Sequence, residues 1–337
     1  MNRSLVLALF LLLAGVAFWL YRSNTGSTLS GPLTDFAVAD TSAVDRIFIA
    51  EMNGHQVDLK RTGPGTWTVN GMPANPKNVQ LLLKTFLRVE VRTPVPKAAE
   101  AMVLKVMSST AKKVEIYAGD AVPSKIWYVG HATQDHYGTF MLLEIPGTGK
   151  SSVPFVMAMS GFSGFLTTRF HTGIDDWRST EVLEYPDVSA IRRVTMTNNA
   201  RPAEGWTVTY DGVYALSLLT NDKVAVAMDS AAVKDLMLTL RDQHFEYFER
   251  KITKAERDSV LASTPSHVLE IANADGAVQR VPFWKKSPYK EERDMEGKLL
   301  IEDTDRQWAL LDDTCMVIVQ RMHFDRITLP MQLLVAR

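Results

Sequence analysis

The sequence predicts an α+β protein with two tandem copies of an antiparallel-sheet-plus-helix module behind one N-terminal transmembrane helix. Three observations predict this. An apolar run over 5–21 opens the chain. Apolar residues at i, i+3, i+4 and i+7 occur twice, beginning at Val79 and again at Val233. Strand-like segments follow in the same order around each repeat, which indicates in each copy a sheet with one face covered by an amphipathic helix.

Length, charge and cysteine content exclude several classes of protein. The 337 residues suit two ordinary domains, and a hydrophobic content of 46% supports real cores. The net charge is -1 and no segment concentrates Lys and Arg, so no nucleic-acid partner is expected. The single cysteine, Cys315, excludes an intramolecular disulfide and a zinc site built on several thiolates. Because it lies in an apolar run, we interpret it as a buried small hydrophobe.

The N-terminal run over 5–21 is just long enough to cross a hydrocarbon core as a helix. A lipoprotein signal is excluded because Val16, not cysteine, follows the small residues. A cleaved signal peptide is the alternative, but the run ends in bulky residues rather than in a small-x-small cleavage site. We therefore expect an uncleaved signal anchor over 1–22. Its short head favours an N-inside orientation, which in a bacterium gives a single-pass protein of the inner membrane with the ectodomain in the periplasm.

The first copy is predicted from strand-forming runs and from Asn75-Pro76, a good cap followed by a first-turn proline. Its predicted elements are strands 46–49 and 67–69, helices after Asn75 and over 97–107, and strands 113–117, 126–129 and 139–143. The copy ends at Phe170.

The second copy repeats this order, with Asp229-Ser230 as the cap of its main helix. Its predicted elements are strands 193–196 and 206–208, helices after Asp229 and over 254–262, and strands 267–271, 281–284 and 298–301. Phe324 takes the place of Phe170. The resulting organisation is an anchor over 1–22, a flexible Gly/Ser/Thr-rich tether over 23–35, a first module over 36–172, a connection over 173–185 and a second module over 186–337.

Five short motifs in the first copy and the connection resemble a known family. They are Tyr128-Val129-Gly130, Gly138-Thr139-Phe140-Met141, Pro154-Phe155-Val156, the run over 161–170, and Asp176-Trp177-Arg178-Ser179. Together they resemble the "domain of unknown function 4340" family over residues 36–330. The resemblance implies a membrane-tethered bacterial envelope protein, related to sequences that accompany auxiliary subunits of gliding-motility-type ABC transporters. It implies no catalytic residue.

A candidate metal site is the group His131, Asp135 and His136, which offers two imidazoles and a carboxylate in one segment. Zinc needs three or four ligands that converge on one point. The neighbouring glycines favour a polar hairpin loop instead, and the corresponding segment of the second copy, 285–293, has no histidine. We therefore predict no metal and no cofactor. The charge-mixed segment 285–293 is itself predicted to be a solvated loop.

The strongest candidate for a partner-binding surface is the set Phe162, Phe165, Arg169, Trp177 and Arg178. Aromatic and arginine side chains dominate the binding energy of protein interfaces. In the competing interpretation the phenylalanines close the core of the first module and Trp177 packs between modules.

Other candidate motifs are weaker. Asp175 and Asp176 are adjacent and are predicted to cap or to pair with Arg178 rather than to act as a catalytic pair. The Gly-Lys-Ser sequence at 149–151 is predicted to be a turn, because Glu144 stands where a phosphate-binding loop has its first glycine.

These observations favour a non-enzymatic envelope protein whose duplicated ectodomain binds or scaffolds a partner complex, of the ABC-transporter-, gliding- or secretion-associated kind. The alternative is a periplasmic ligand-binding or hydrolytic protein that acts on cell-wall glycan or peptide. A pocket that gathers His131, Asp135 and His136 with a fourth ligand would favour the alternative. An apolar patch around Phe162 and Phe165 would favour the scaffold.

Overall fold

A computed structural model describes residues 31–211 and 215–336 of the chain. The chain divides between Ser179 and Thr180 into two compact units, each with its own hydrophobic core. This division falls inside the predicted connection, 173–185. The architecture is α+β with antiparallel sheets, as the sequence predicts.

The predicted membrane anchor, 1–22, lies outside the described residues. Within the ranges that the structure does describe, no helix is long and apolar enough to cross a membrane.

The first unit is built on a ten-stranded antiparallel sheet. Its strands are β1 (Arg46–Ala50), β2 (Gln56–Gly63), β3 (Thr66–Val69), β4 (Met72–Pro73), β5 (Val89–Pro94), β6 (Lys112–Tyr117), β7 (Lys125–Ala132), β8 (Thr139–Ile145), β9 (Gly149–Lys150) and β10 (Phe155–Met159). They lie in the order β4-β3-β2-β1-β6-β7-β8-β10-β5, with β9 paired to β8. The sequence predicts a turn at 149–151, but Gly149–Lys150 form β9 and the turn of the β8–β9 hairpin precedes them at 146–148.

Three helices accompany this sheet: α1 (Gly31–Thr34), α2 (Pro76–Arg88) and α3 (Lys97–Thr110). Helix α2 begins where predicted, because Asn75 Oδ1 accepts a hydrogen bond from the Lys77 N–H (3.0 Å). Its apolar stripe is buried in the first core, against one face of the sheet. Helix α3 packs on a separate, smaller cluster. It approaches the sheet closely at Gly130, where a Cβ would lie 2.8 Å from Met107 Cγ.

The second unit has a nine-stranded antiparallel sheet and a two-stranded ribbon. Its strands are β11 (Glu181–Glu184), β12 (Ile191–Asn198), β13 (Trp206–Tyr210), β14 (Leu216–Thr220), β15 (Ala225–Val226), β16 (Asp242–His244), β17 (Tyr247–Phe248), β18 (His267–Asn273), β19 (Val278–Lys285), β20 (Arg306–Leu311) and β21 (Cys315–Gln320). Its helices are α4 (Ser230–Thr239), α5 (Lys254–Ala262) and α6 (Arg321–Phe324). Asp229 caps α4 as predicted, since its carboxylate accepts the Ala231 and Ala232 N–H groups.

The two large sheets share one strand order. The second sheet runs β15-β14-β13-β12-β18-β19-β20-β21-β17, and the ribbon pairs β11 with β16. With β9 and the ribbon set aside, each strand of the second sheet takes the place of one in the first. In both units the strand after the main helix lies at the far edge, beside the last strand of the sheet.

Two predicted boundaries are corrected by the packing. The end of the predicted tether is not free, because Gly31–Thr34 form α1 and Lys125 Nζ donates to the Asp35 carbonyl (2.6 Å). The predicted connection is divided between the units. The Trp177 carbonyl accepts a hydrogen bond from the Asn75 N–H (2.7 Å) within the first unit, whereas Glu181–Glu184 pair with β16 in the second.

The predicted strand over 298–301 is wrong. Ile301 is 78% exposed, and the strand that pairs with β19 is Arg306–Leu311 instead. A tight turn with Asp312 and Asp313 at positive φ joins it to β21. Asp tolerates this left-handed region better than most residues, so the turn stabilises a β20–β21 hairpin over the earlier apolar run.

Candidate functional site

Two loops of the first unit meet on one surface. One is the β7–β8 hairpin loop, which holds Asp135 and His136 and follows His131 near the end of β7. The other is the segment 160–169 that follows β10. Thr167 Oγ1 donates to the Gly130 carbonyl (2.9 Å), and the Leu166 N–H donates to the buried Thr139 Oγ1 (2.6 Å). These bonds attach the second loop to both strands of the hairpin, so the two loops form one continuous surface.

The hairpin loop uses its carboxylate for its own turn. Asp135 accepts hydrogen bonds from the Thr133 hydroxyl and the Tyr137 N–H, which hold its pKa below the usual range. Its other neighbour is Arg92, whose Nη1 lies 3.9 Å from Asp135 Oδ2. His136 occupies the left-handed region at φ 60°, as the tight turn requires.

His131 of β7 and His136 of the loop pack on different aromatic rings. The His131 ring packs on Phe140, with centroids 4.8 Å apart, and the His136 ring packs on Phe165 at 5.7 Å. The structure therefore does not gather His131, Asp135 and His136 as ligands of one ion. In the described ranges no three His, Cys, Asp or Glu side chains could hold a metal.

Phe162 and Arg169 form the centre of the surface. Phe162 is 37% exposed, and the Arg169 guanidinium carbon lies 4.3 Å from its ring centroid. Arg169 Nη1 donates to Thr85 Oγ1 (3.0 Å) and also contacts Met159 Sδ (3.7 Å). Among the residues described, no carboxylate lies within 4 Å of Arg169. Burial lowers the pKa of its guanidinium, which nevertheless keeps its charge at neutral pH.

We call the set His136, Tyr137, Phe162, Phe165 and Arg169 the aromatic–arginine patch. Tyr137 is 57% exposed and Phe165 is half-buried beside His136. Sequence reasoning identified three of these residues and missed the contribution of the hairpin loop. The proximity of the two loops follows from the pairing of β8 with both β7 and β10, which sequence spacing alone does not show.

The remaining two predicted partner-binding residues lie elsewhere. Trp177 is 1% exposed in the first core, and its Nε1 donates to the His171 carbonyl (3.0 Å). It is a core residue and not part of an exposed surface. Arg178 is half-buried, with Nη1 3.5 Å from the Asp175 carboxylate, which is the predicted pairing.

Comparison of the chain with family models, with curated proteins and with solved structures finds no match.

The second unit has a different polar arrangement in its β19–β20 loop, and the prediction that 285–293 is solvated is wrong for Lys286. Its side chain is 0% exposed, with Nζ 2.9 Å from Asp303 Oδ2 and 3.8 Å from the Tyr289 ring centroid. The Tyr289 hydroxyl donates to Glu249. Glu249 also accepts from Trp308 Nε1 (2.8 Å). The cluster ties this loop to the sheet.

Cys315 is partly buried and packs against the second core. It contacts apolar residues as expected, but it is not fully buried as the sequence predicts.

Proposed function

We propose that this chain is a non-enzymatic protein of the bacterial envelope that binds or scaffolds a partner complex through the aromatic–arginine patch. An exposed aromatic ring stacked on a half-buried arginine without a carboxylate partner carries the proposal. The class of partner suggested by the family resemblance is a membrane complex associated with ABC transport, gliding or secretion.

The energetics of Arg169 favour a partner that supplies an anion. Its guanidinium is partly buried and donates only to neutral acceptors, Thr85 Oγ1 and Met159 Sδ. A partner carboxylate would add a charge-assisted hydrogen bond, and the Phe162 ring would exclude water from it. Buried contacts of this type commonly cost about 2 kcal/mol or more of binding free energy when truncated. The partner surface that fits is therefore an Asp or Glu beside an apolar side chain.

The membrane location is part of the proposal and is supported by sequence alone. The apolar run over 5–21 suits an uncleaved single-pass anchor in the inner membrane, and the resemblance to the "domain of unknown function 4340" family suits a periplasmic ectodomain.

Internal duplication is likewise proposed. It is supported by the repeated apolar pattern at Val79 and Val233 and by the common strand order of the two sheets. The patch has no counterpart of the same composition in the second unit, where the loop after β19 holds Lys286 and Tyr289 instead. One copy would then carry the binding surface while the other keeps the fold.

Chemical crosslinking of the full chain in its native membranes, followed by purification and mass spectrometry, tests this function. The expected result is a stoichiometric membrane partner whose recovery falls with Phe162→Ala and Arg169→Ala. Arg241→Ala is the matched control, since Arg241 is an exposed arginine of the second unit. Unchanged recovery with both patch variants, or recovery of the chain alone, would refute partner binding at this surface.

A further inference from the structure

A separate groove lies on the opposite face of the first sheet from the main core. The C-terminal half of α3 forms one wall through Leu104, Met107 and Ser108. Tyr128 of β7 and Leu142 of β8 form the floor. The groove encloses about 560 Å³. This volume is typical of pockets that take small organic molecules.

The mouth of the groove carries one ammonium group without a close ion-pair partner. Lys150, at the end of β9, holds its ammonium 3.4 Å from the Tyr128 ring centroid, and no carboxylate of the described chain lies within 4 Å of it. The other charged residues at the rim are neutralised. Lys113 Nζ is 2.6 Å from Glu115, and Glu51 is 3.2 Å from Lys112.

The surroundings of Lys150 are apolar enough to affect its ionisation. Burial lowers the pKa of the Lys150 ammonium, partly offset by the charge of Glu144. Glu144 lies opposite Lys150 in the β8–β9 pair and accepts the hydrogen bond of the Tyr128 hydroxyl (2.7 Å), which orients the carboxylate and leaves its charge in place. An anion at the mouth would therefore meet an exposed ammonium with no carboxylate within 4 Å of it.

The second unit lacks these features at the equivalent register. In the first sheet Lys113 pairs with Tyr128, whereas in the second Val268 pairs with Pro282. Helix α5 has 9 residues against 14 in α3, so the wall that lines the groove is shorter there. The groove is therefore a property of the first unit and not a general consequence of the fold.

We propose that this groove binds a single-chain anionic amphiphile, a fatty carboxylate, with its alkyl chain along Met107 and Leu142 and its head group at Lys150. The apolar floor takes the chain and the lone ammonium takes the charge. The site does not depend on partner binding at the aromatic–arginine patch, which lies on other loops.

Photolabelling tests the proposal on the full chain, reconstituted in zwitterionic phospholipid nanodiscs. The probe is a diazirine-bearing palmitate, and labelled peptides are mapped by mass spectrometry. We expect labelling of peptides that contain Leu104–Ala111 and Leu142. Excess dodecanoate should compete, whereas dodecanol and dodecyltrimethylammonium should compete poorly because neither presents an anion to Lys150.

Matched variants separate the groove from general adsorption to the surface. Ser108→Trp fills the groove, while Ser109→Trp places the same side chain on the neighbouring exposed position; both serines donate to carbonyls of their own helix. Lys150→Gln removes the cation and Lys105→Gln removes an exposed lysine of α3. We expect Lys150→Gln to reduce labelling about tenfold, the factor that follows from losing one charge-assisted contact. Ser108→Trp should reduce labelling by a similar factor because its side chain fills the groove. The two control variants should leave labelling unchanged.

Two results would overturn the proposal. One is labelling of the α3 peptide that is no stronger than labelling of the α5 peptide. The other is equal labelling of the Ser108→Trp and Ser109→Trp variants. Competition by dodecanol as effective as that by dodecanoate would overturn the role of Lys150 and leave an apolar site without preference for an anion.

Discussion

Replacing Lys286 by methionine should destabilise the second unit far more than the same change at Lys285. The Lys286 ammonium is fully buried, 2.9 Å from Asp303 and 2.9 Å from the Ser287 carbonyl. Removing it leaves the half-buried Asp303 carboxylate without its cation, with the Asp305 and Arg306 N–H groups as its remaining donors. Loss of one partner of a buried ion pair costs about 3–5 kcal/mol, whereas an exposed pair contributes about 0–1 kcal/mol.

Lys285, the last residue of β19 and the direct neighbour of Lys286, is a matched control. Its ammonium lies 2.7 Å from Glu302, but both side chains are largely exposed. Urea unfolding of the full chain, followed by hydrogen exchange of peptides from β19 and β20, reports the second unit separately. Lys286→Met should lower the unfolding free energy of those peptides by about 3–5 kcal/mol and Lys285→Met by less than about 1 kcal/mol. Equal effects of the two substitutions would refute the assignment of Lys286 as a buried anchor.

The double variant sharpens the test. Lys286→Met with Asp303→Leu removes both charges, so no buried ion remains without a partner. Its cost should be smaller than that of Lys286→Met alone, because apolar replacement of a whole buried pair is often neutral. A double variant that is less stable than either single variant would show that packing, not charge, holds the loop.

Three further outcomes are expected. Burial raises the pKa of Asp303, but hydrogen bonds from Lys286 and from backbone N–H groups outweigh it and the pKa is lowered. Because the folded-state pKa is lowered, the ionised Asp303 carboxylate stabilises the unit above about pH 4, and this contribution is lost as the pH falls further. Lys286→Met should therefore flatten the decline of the urea midpoint measured from about pH 5 to pH 3. Gly130→Ala should lower the unfolding free energy of the first unit by about 1–3 kcal/mol, because the new Cβ would push Met107 away. The effect should appear as faster hydrogen exchange of α3, and an unchanged rate would contradict the close approach of Gly130 and Met107. Asn75→Ala should cost about 1 kcal/mol, and Asn75→Asp should restore it in thermal unfolding of the first unit.

Local signals in the sequence predicted four of the six helices and nine of the 21 strands that the described residues form. Asn75 and Asp229 cap their helices as expected, because capping depends on residues two or three positions away. The failures concern interactions over longer distances. The apolar run at 298–301 has strand-forming residues, yet β20 forms at Arg306–Leu311 because the Asp312-Asp313 turn allows that strand to pair with β21.

The candidate site was predicted only in part for the same reason. Phe162 and Arg169 lie close together in sequence, and both belong to the predicted partner-binding set. His136 and Tyr137 join them only through the pairing of β8 with β10, which no local pattern reveals. Trp177 has the composition of an interface residue, but burial and not composition decides its role, and the first core takes it.

The shared strand order has a consequence for how the chain folds during synthesis. In the first unit β5 pairs only with β10, and in the second β17 pairs only with β21. Each edge strand therefore leaves the ribosome well before the strand that receives its hydrogen bonds, and a long intervening segment must close before it is paired. A nascent chain that stops before Phe155 would leave Val89–Pro94 unpaired along both of its edges, and synthesis of β10 protects one of the two from pairing with other chains.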